Sequence, residues 1–224
     1  MKGGNKKEAN LIIGCYGHWV KLTYLSVISA ILGMWFALGG NISFALICLM
    51  FSGLCDMLDG PVARLKKRTD REKSYGIQID TLADIISFGA LPVVIGYAIC
   101  SNNQTQIEMV INITIFSAYL LTALIRLAYF NVVETELQSK NERRLYFEGL
   151  PTTSVALIIP AVYSVCLLFN ISLSTVYTAL LAIIAVAFVL RIRVPKPRGL
   201  SQIFLVLIGL VVIFSIFLLG GIDI

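Results

Sequence analysis

Charge and histidine are both scarce in this sequence. Asp, Glu, Lys and Arg make up 14% of its 224 residues, against about a quarter in an ordinary soluble domain. His18 is the only histidine, which excludes any metal site or catalytic pair that needs two imidazoles. The five cysteines (Cys15, Cys48, Cys55, Cys100, Cys166) have no metal-ligand spacing. Four of them fall inside or at the ends of apolar runs, where a thiol acts as a small apolar side chain. The first ten residues, MKGGNKKEAN, are too polar for a signal peptide, and no small-residue cleavage site follows the apolar run after Trp19. That run is therefore expected to stay as the first span.

Apolar residues fill the space that charge leaves. They make up 58% of the chain, and seven runs approach or exceed the length that crosses a bilayer as a helix. These runs are about Leu22–Leu38, Ile42–Leu58, Ile77–Cys100, Met109–Phe130, Thr153–Phe169, Leu173–Leu190 and Leu200–Leu219. The expected fold class is an all-α integral membrane protein, a polytopic helical bundle of about seven (six to eight) transmembrane helices. Residues 1–21 read as a cytoplasmic or interfacial N-terminal segment, 22–195 as the membrane domain and 196–224 as an additional C-terminal transmembrane segment. Only Asn170, Ile171 and Ser172 separate the fifth and sixth runs, which predicts a tight hairpin or one broken element.

The basic residues set the orientation. Nearly all of the eighteen Lys and Arg lie in the N-terminal tail, the Lys66–Lys73 loop, the Val133–Thr152 loop and the Arg191–Gly199 loop, and only Arg126 lies clearly within a span. The intervening turns, near Gly39–Asn41, Ser101–Gln106 and Asn170–Ser172, contain none. By the positive-inside rule the N-terminus and the basic loops are cytoplasmic. These loops read as topology signals and anionic-lipid contacts, and no nucleic-acid partner is expected.

Against this apolar background four aspartates stand out, in the pattern Asp56-x-x-Asp59-Gly60-x-x-Ala63-Arg64, eleven residues, then Gly76-x-x-x-Asp80-x-x-x-Asp84. A carboxylate at membrane depth costs ~2.5–3.5 kcal/mol on the insertion scale, so four uncompensated ones approach an upper bound of about 10–14 kcal/mol. Something positive must sit among them. At 100° per residue Asp56, Asp59, Gly60, Ala63 and Arg64 cover about 140° of one helix face. Gly76, Asp80 and Asp84 line one stripe of the next helix by the i, i+4 rule. Under the predicted orientation both acidic pairs lie near the cytoplasmic edge. Facing helices that each present carboxylates can build a two-metal site. Hard oxygen donors without His or Cys favour Mg2+, Mn2+ or Ca2+ over zinc, and a metal pair can clamp a phosphoryl group during displacement. Gly60 and Ala63 leave bare surface for a planar or phosphate-bearing ligand, and Arg64 offers a rigid donor fork to a phosphate. Intramembrane carboxylates also mark cation pathways. A transporter would place them nearer mid-bilayer, on interrupted helices, and gives no reason for Gly60, Ala63 and Arg64.

This pattern resembles the signature of the CDP-alcohol phosphotransferase family, whose members are membrane enzymes that transfer a phosphoryl-linked group from a CDP-activated donor to an alcohol, releasing CMP. One departure is the eleven-residue spacer between Arg64 and Gly76, where many members have eight. Another is Pro61, which sits inside the helix where the donor would bind and is expected to kink it. The segments from Asp84 to Gly89, from Arg126 to Val132 and from Tyr146 to Pro151 are similar to the D-x-x-S-F-G, R-L-A-R-F-N and F-x-G-L-P segments of phosphatidylserine synthases. Tyr129 stands where the second arginine of R-L-A-R is usual. The resemblance implies transfer of a phosphatidyl group from CDP-diacylglycerol, or an archaeal CDP-lipid such as CDP-archaeol, to the hydroxyl of L-serine. A same-family acceptor such as glycerol 3-phosphate or inositol phosphate is the alternative. Carried over position by position, Asp56, Asp59, Asp80 and Asp84 would hold two divalent ions, Mg2+ or Mn2+ (Ca2+ as a further option). Asp84 would also be the general base. Asp59, Gly60, Ala63, Arg64 and Gly76 would contact the CDP-lipid. Arg126, Asn131 and Arg191 are candidates for the serine pocket, although an arginine at a helix end often just snorkels to headgroups. Glu148 is expected to order its own loop. The resemblance further implies a homodimer.

Overall fold

In lipid each backbone N–H and C=O must be satisfied within the protein, so long apolar runs fold as helical rods. The computed structural model describes residues 14–17, 20–64, 69–101, 104–139, 146–191, 193–195 and 200–219. The helices are α1 (Lys21–Leu38), α2 (Ile42–Arg64), α3 (Asp70–Asp84), α4 (Leu91–Cys100), α5 (Gln106–Ser139), α6 (Val155–Phe169), α7 (Leu173–Val189) and α8 (Leu200–Leu219). A π-helical segment, Ile85–Ala90, joins α3 to α4, and the two form one rod, Asp70–Cys100. Among the described residues five stretches are long and apolar enough to cross a membrane, and Leu173–Val189 and Leu205–Leu219 are shorter apolar helices. Together they match the seven expected runs.

The turns fall where the sequence places them. Gly40, with φ +85°, closes the α1–α2 hairpin, and Asn170, with φ 50°, caps α6 in the left-handed region that ends helices. Small residues let α1 and α2 approach closely: a Cβ added to Gly33 would stand 2.9 Å from the Cβ of Cys48. The rod beginning at Asp70 starts well before the expected Ile77. The cause is a capping box, in which the Thr69 hydroxyl accepts from the Glu72 N–H and the Glu72 carboxylate accepts from the Thr69 N–H. Likewise α5 runs on to Ser139 rather than ending near Phe130. Pro61 lies inside α2, and the helical run continues through it to Arg64. One addition to the all-helical expectation is a short antiparallel ribbon, β1 (Tyr146–Glu148) with β2 (Arg193–Pro195), which joins the loops after α5 and α7.

The core gathers around the π-helical segment. Leu46, Leu49, Phe88, Leu91, Ile95, Tyr119, Ile159, Tyr177 and Leu181 are all buried there. Pro92 explains much of this local structure. It has no N–H, so the Phe88 carbonyl, four residues earlier, loses its α-helical donor. The Tyr119 hydroxyl, from α5, replaces it at 2.6 Å. The Tyr177 hydroxyl, from α7, donates to the Pro92 carbonyl at 2.8 Å. A buried carbonyl left unpaired costs about 1–3 kcal/mol. Tyr119→Phe keeps the ring, and with it the contact to Phe188 5.6 Å away, but removes the donor. We expect it to lower stability by about 1–2 kcal/mol, read as an earlier thermal melt in detergent. A melt unchanged from wild type would show that the Phe88 carbonyl has another donor.

Candidate active site

Two helices converge on the four aspartates. Asp56 and Asp59, three residues apart on α2, face Asp80 and Asp84, four apart on α3. Carboxylate oxygens of Asp56, Asp80 and Asp84 all lie within 4.8 Å of one another. Asp59 completes the group: its carboxylate lies beside that of Asp80, as the Asp56 carboxylate lies beside that of Asp84. All four are half-buried. The acidic stripes thus point at each other, as the spacing predicts.

Hydroxyl side chains from other elements hold the cluster. Thr153, in the 3₁₀ turn Thr152–Ser154 that leads into α6, donates to Asp56 Oδ2 at 2.6 Å. Thr23 of α1 donates to Asp59 Oδ2 at 3.4 Å. One helical turn deeper, Ser52 donates to the Ser26 carbonyl at 3.0 Å and the Ser26 and Ser87 hydroxyls meet at 3.1 Å. Those bonds tie α1, α2 and the π-helical segment together directly beneath the aspartates. Neither Thr23 nor Thr153 is marked by the signature; each is a hydroxyl in an apolar neighbourhood, recognisable only once its helix is placed.

Charge balance is the problem the site presents. Among the described residues no lysine or arginine pairs with any of the four carboxylates; the one ion pair, Lys73 with Asp70, is exposed and separate. Ionised carboxylates under 4.8 Å apart repel by about 3–4 kcal/mol per pair at an effective dielectric near 20. A convergent set of hard oxygen donors, with no cation paired to it among the described residues, fits a bound divalent ion. The donor set therefore agrees with the group the motif implies.

The remaining expected site residues are distributed unevenly. Gly60 has room beside it: a Cβ added there meets nothing within 4 Å among the described residues. Gly76 lies in α3 one turn before Asp80. Asn131, on α5, donates to the Thr81 hydroxyl at 2.7 Å, which places it beside the residue following Asp80. Arg126 is buried, 8% exposed, and donates to the Gly149 carbonyl at 3.3 Å. Arg191 is exposed beyond the end of α7, and no described hydrogen bond or ion pair joins it to the cluster. The side chains of Ala63, Arg64 and Glu148 lie outside the described residues, as does His18. The five thiols are free and take no part in the cluster.

The family profile for CDP-alcohol phosphatidyltransferases matches residues 20–191, more than half of the chain. The chain belongs to the CDP-alcohol phosphatidyltransferase family. It is an integral membrane protein, and its acidic cluster is the kind that holds the divalent metal this family uses. Three relatives frame the comparison. The CDP-diacylglycerol–serine O-phosphatidyltransferase of Saccharomyces cerevisiae is 41% identical over 117 residues, 50% of this chain and 39% of the relative. The archaetidylserine synthase of Methanothermobacter thermautotrophicus is 28% identical over 180 residues, 80% of this chain and 70% of the relative. The CDP-diacylglycerol–serine O-phosphatidyltransferase of Helicobacter pylori is 28% identical over 204 residues, 86% of this chain and 79% of the relative. The chain therefore spans under half the length of the yeast relative and most of the other two.

Proposed function

We propose that this phosphatidyltransferase moves the phosphatidyl group of a CDP-activated lipid, CDP-diacylglycerol or CDP-archaeol, onto the hydroxyl of L-serine, with release of CMP. The observation that carries this reading is the meeting of Asp56, Asp80 and Asp84, with Asp59 next to Asp80, beside Gly60, where no described atom crowds an added Cβ. The names of the yeast, archaeal and H. pylori relatives support serine as the acceptor. Gly60 and Ala63 leave room for the cytidine, Gly76 borders the same face, and Arg64 pairs with the diphosphate. Divalent ions (Mg2+ or Mn2+, two per site) held by Asp56, Asp59, Asp80 and Asp84 would neutralise the diphosphate and polarise its phosphorus–oxygen bonds.

In this reading Asp84 takes the proton. The serine hydroxyl oxygen attacks the β-phosphorus and its proton passes to the Asp84 carboxylate. The bond from that phosphorus to the bridging oxygen breaks, and its electron pair leaves with CMP. Asn131 and Arg126 flank the acceptor side, with Arg191 the third candidate for holding the amino acid. The basic loops keep this site on the cytoplasmic face, and we take the working unit to be a homodimer in the membrane.

The deciding experiment measures CMP release from CDP-diacylglycerol with purified protein and Mn2+ or Mg2+, offering serine, glycerol 3-phosphate or inositol phosphate in turn. We expect serine-dependent turnover that chelation of the metal abolishes. Full turnover on a phosphorylated acceptor, with none on serine, would overturn the assignment of the acceptor.

A further inference from the structure

We propose that Thr153 is a positioning residue for the acidic cluster, its hydroxyl fixing the rotation of Asp56 and so setting how tightly the site holds a divalent cation. The inference rests on reading Asp56 as a metal ligand. Its basis is the bond from Thr153 Oγ1 to Asp56 Oδ2, which at 2.6 Å has the length of a hydroxyl donating to a charged carboxylate. The corresponding bond from Thr23 to Asp59 is 3.4 Å, too long to impose the same order.

The turn that carries Thr153 is held on several sides. On one side, α2 and α6 touch through Gly53 and Ala156. A Cβ added to Gly53 would come 2.5 Å from the Ala156 Cβ and 3.9 Å from Thr153 Cγ2. Gly53 lies one turn before Asp56 on the same helix, so this close crossing brings the threonine to the carboxylate. Upstream, Gly149 adopts φ +79° and its carbonyl accepts from Arg126. Next to it, the Leu150 N–H donates to the Ala187 carbonyl of α7. The Ser154 N–H closes the turn on the Pro151 carbonyl at 3.1 Å. Elements α2, α5 and α7 therefore all hold the loop that presents one hydroxyl to one metal-binding carboxylate. Such outer partners fix ligand orientation and commonly matter 10–100-fold for metal affinity.

Two substitutions separate this role from simple packing. Thr153→Val keeps the volume and removes the donor, whereas Thr153→Ser keeps the donor and removes a methyl group. Mn2+ uptake by the full chain in detergent, without substrate, is followed by the loss of the free-ion electron paramagnetic resonance signal. We expect Thr153→Val to bind Mn2+ about tenfold more weakly and Thr153→Ser to bind it like wild type. Wild-type affinity in Thr153→Val overturns the proposal, and so does a serine variant as weak as the valine one. If Thr153→Val melts early, Thr153→Ala, which also lacks the donor, takes its place beside the serine variant: weaker Mn2+ binding in the alanine variant alone supports the donor role, and wild-type affinity in it overturns the proposal. A wild-type protein that takes up no Mn2+ defeats the metal reading itself, an outcome distinct from a wild type that binds while Thr153→Val is unchanged.

Discussion

Asp84→Asn is expected to lower the rate of CMP release by about 10²–10⁴-fold while the KM for CDP-diacylglycerol stays close to that of wild type. Asparagine has the shape of aspartate, so the end of α3 and the π-helical segment after it, Ile85–Ala90, keep their packing. What it lacks is a site for the serine proton. Asp84 also shares the cluster with Asp56 and Asp80, so a loss of activity alone would not tell a base from a ligand. Metal dependence does: a missing ligand is overcome by raising Mn2+, and a missing base is not. The measurement is kcat with both KM values, first at saturating Mn2+ and then well above it. Wild-type kcat, or full recovery on added Mn2+, would remove Asp84 from the role of base.

The sequence carried the large-scale plan because lipid imposes it. All seven apolar runs appeared within helical rods, since hydropathy directly reports which segments the bilayer accepts. The aspartates were legible for the opposite reason, as residues the bilayer rejects, and their three- and four-residue spacings named the faces that meet. The extension of α3 back to Asp70 was written in Thr69-Asp70-Arg71-Glu72, a capping box overlooked beside the longer apolar run. Pro92 likewise marked the place where the third rod departs from α-helical pairing, but not which tyrosine would answer the freed Phe88 carbonyl. Least legible were the lateral contacts. A helix apolar all round gives no sign of which side faces lipid and which faces protein. Gly53 against Ala156, and therefore Thr153 against Asp56, followed only from the assembled bundle. The burial of Arg126 against Gly149 belongs to the same class, since a helix-end arginine reads equally as a headgroup contact.

Gly60→Leu is expected to leave stability near that of wild type and to weaken donor binding. Among the described residues the new side chain meets no obstacle at its first carbon, because a Cβ at this position has nothing within 4 Å. Glycine inside a helix is about 1 kcal/mol less favourable than alanine, and leucine is nearly as good as alanine. Because position 60 precedes Pro61, where a Cβ is disfavoured in the helical region, that gain is offset, and the variant should melt close to wild type. If the open surface is the seat of the cytidine diphosphate, the same side chain collides with the donor. A collision of this kind costs about 1–3 kcal/mol, which weakens donor binding by roughly tenfold to 100-fold. Mn2+ uptake without substrate should be retained, because no carboxylate is displaced. The three readouts are the melt in detergent, the KM for CDP-diacylglycerol and Mn2+ uptake, with Gly60→Ala as an intermediate step in size. A leucine variant with wild-type donor KM would mean that the nucleotide lies elsewhere on α2. A helix glycine beside the aspartates, with room around its missing Cβ among the described residues, would then be left without a ligand to explain it.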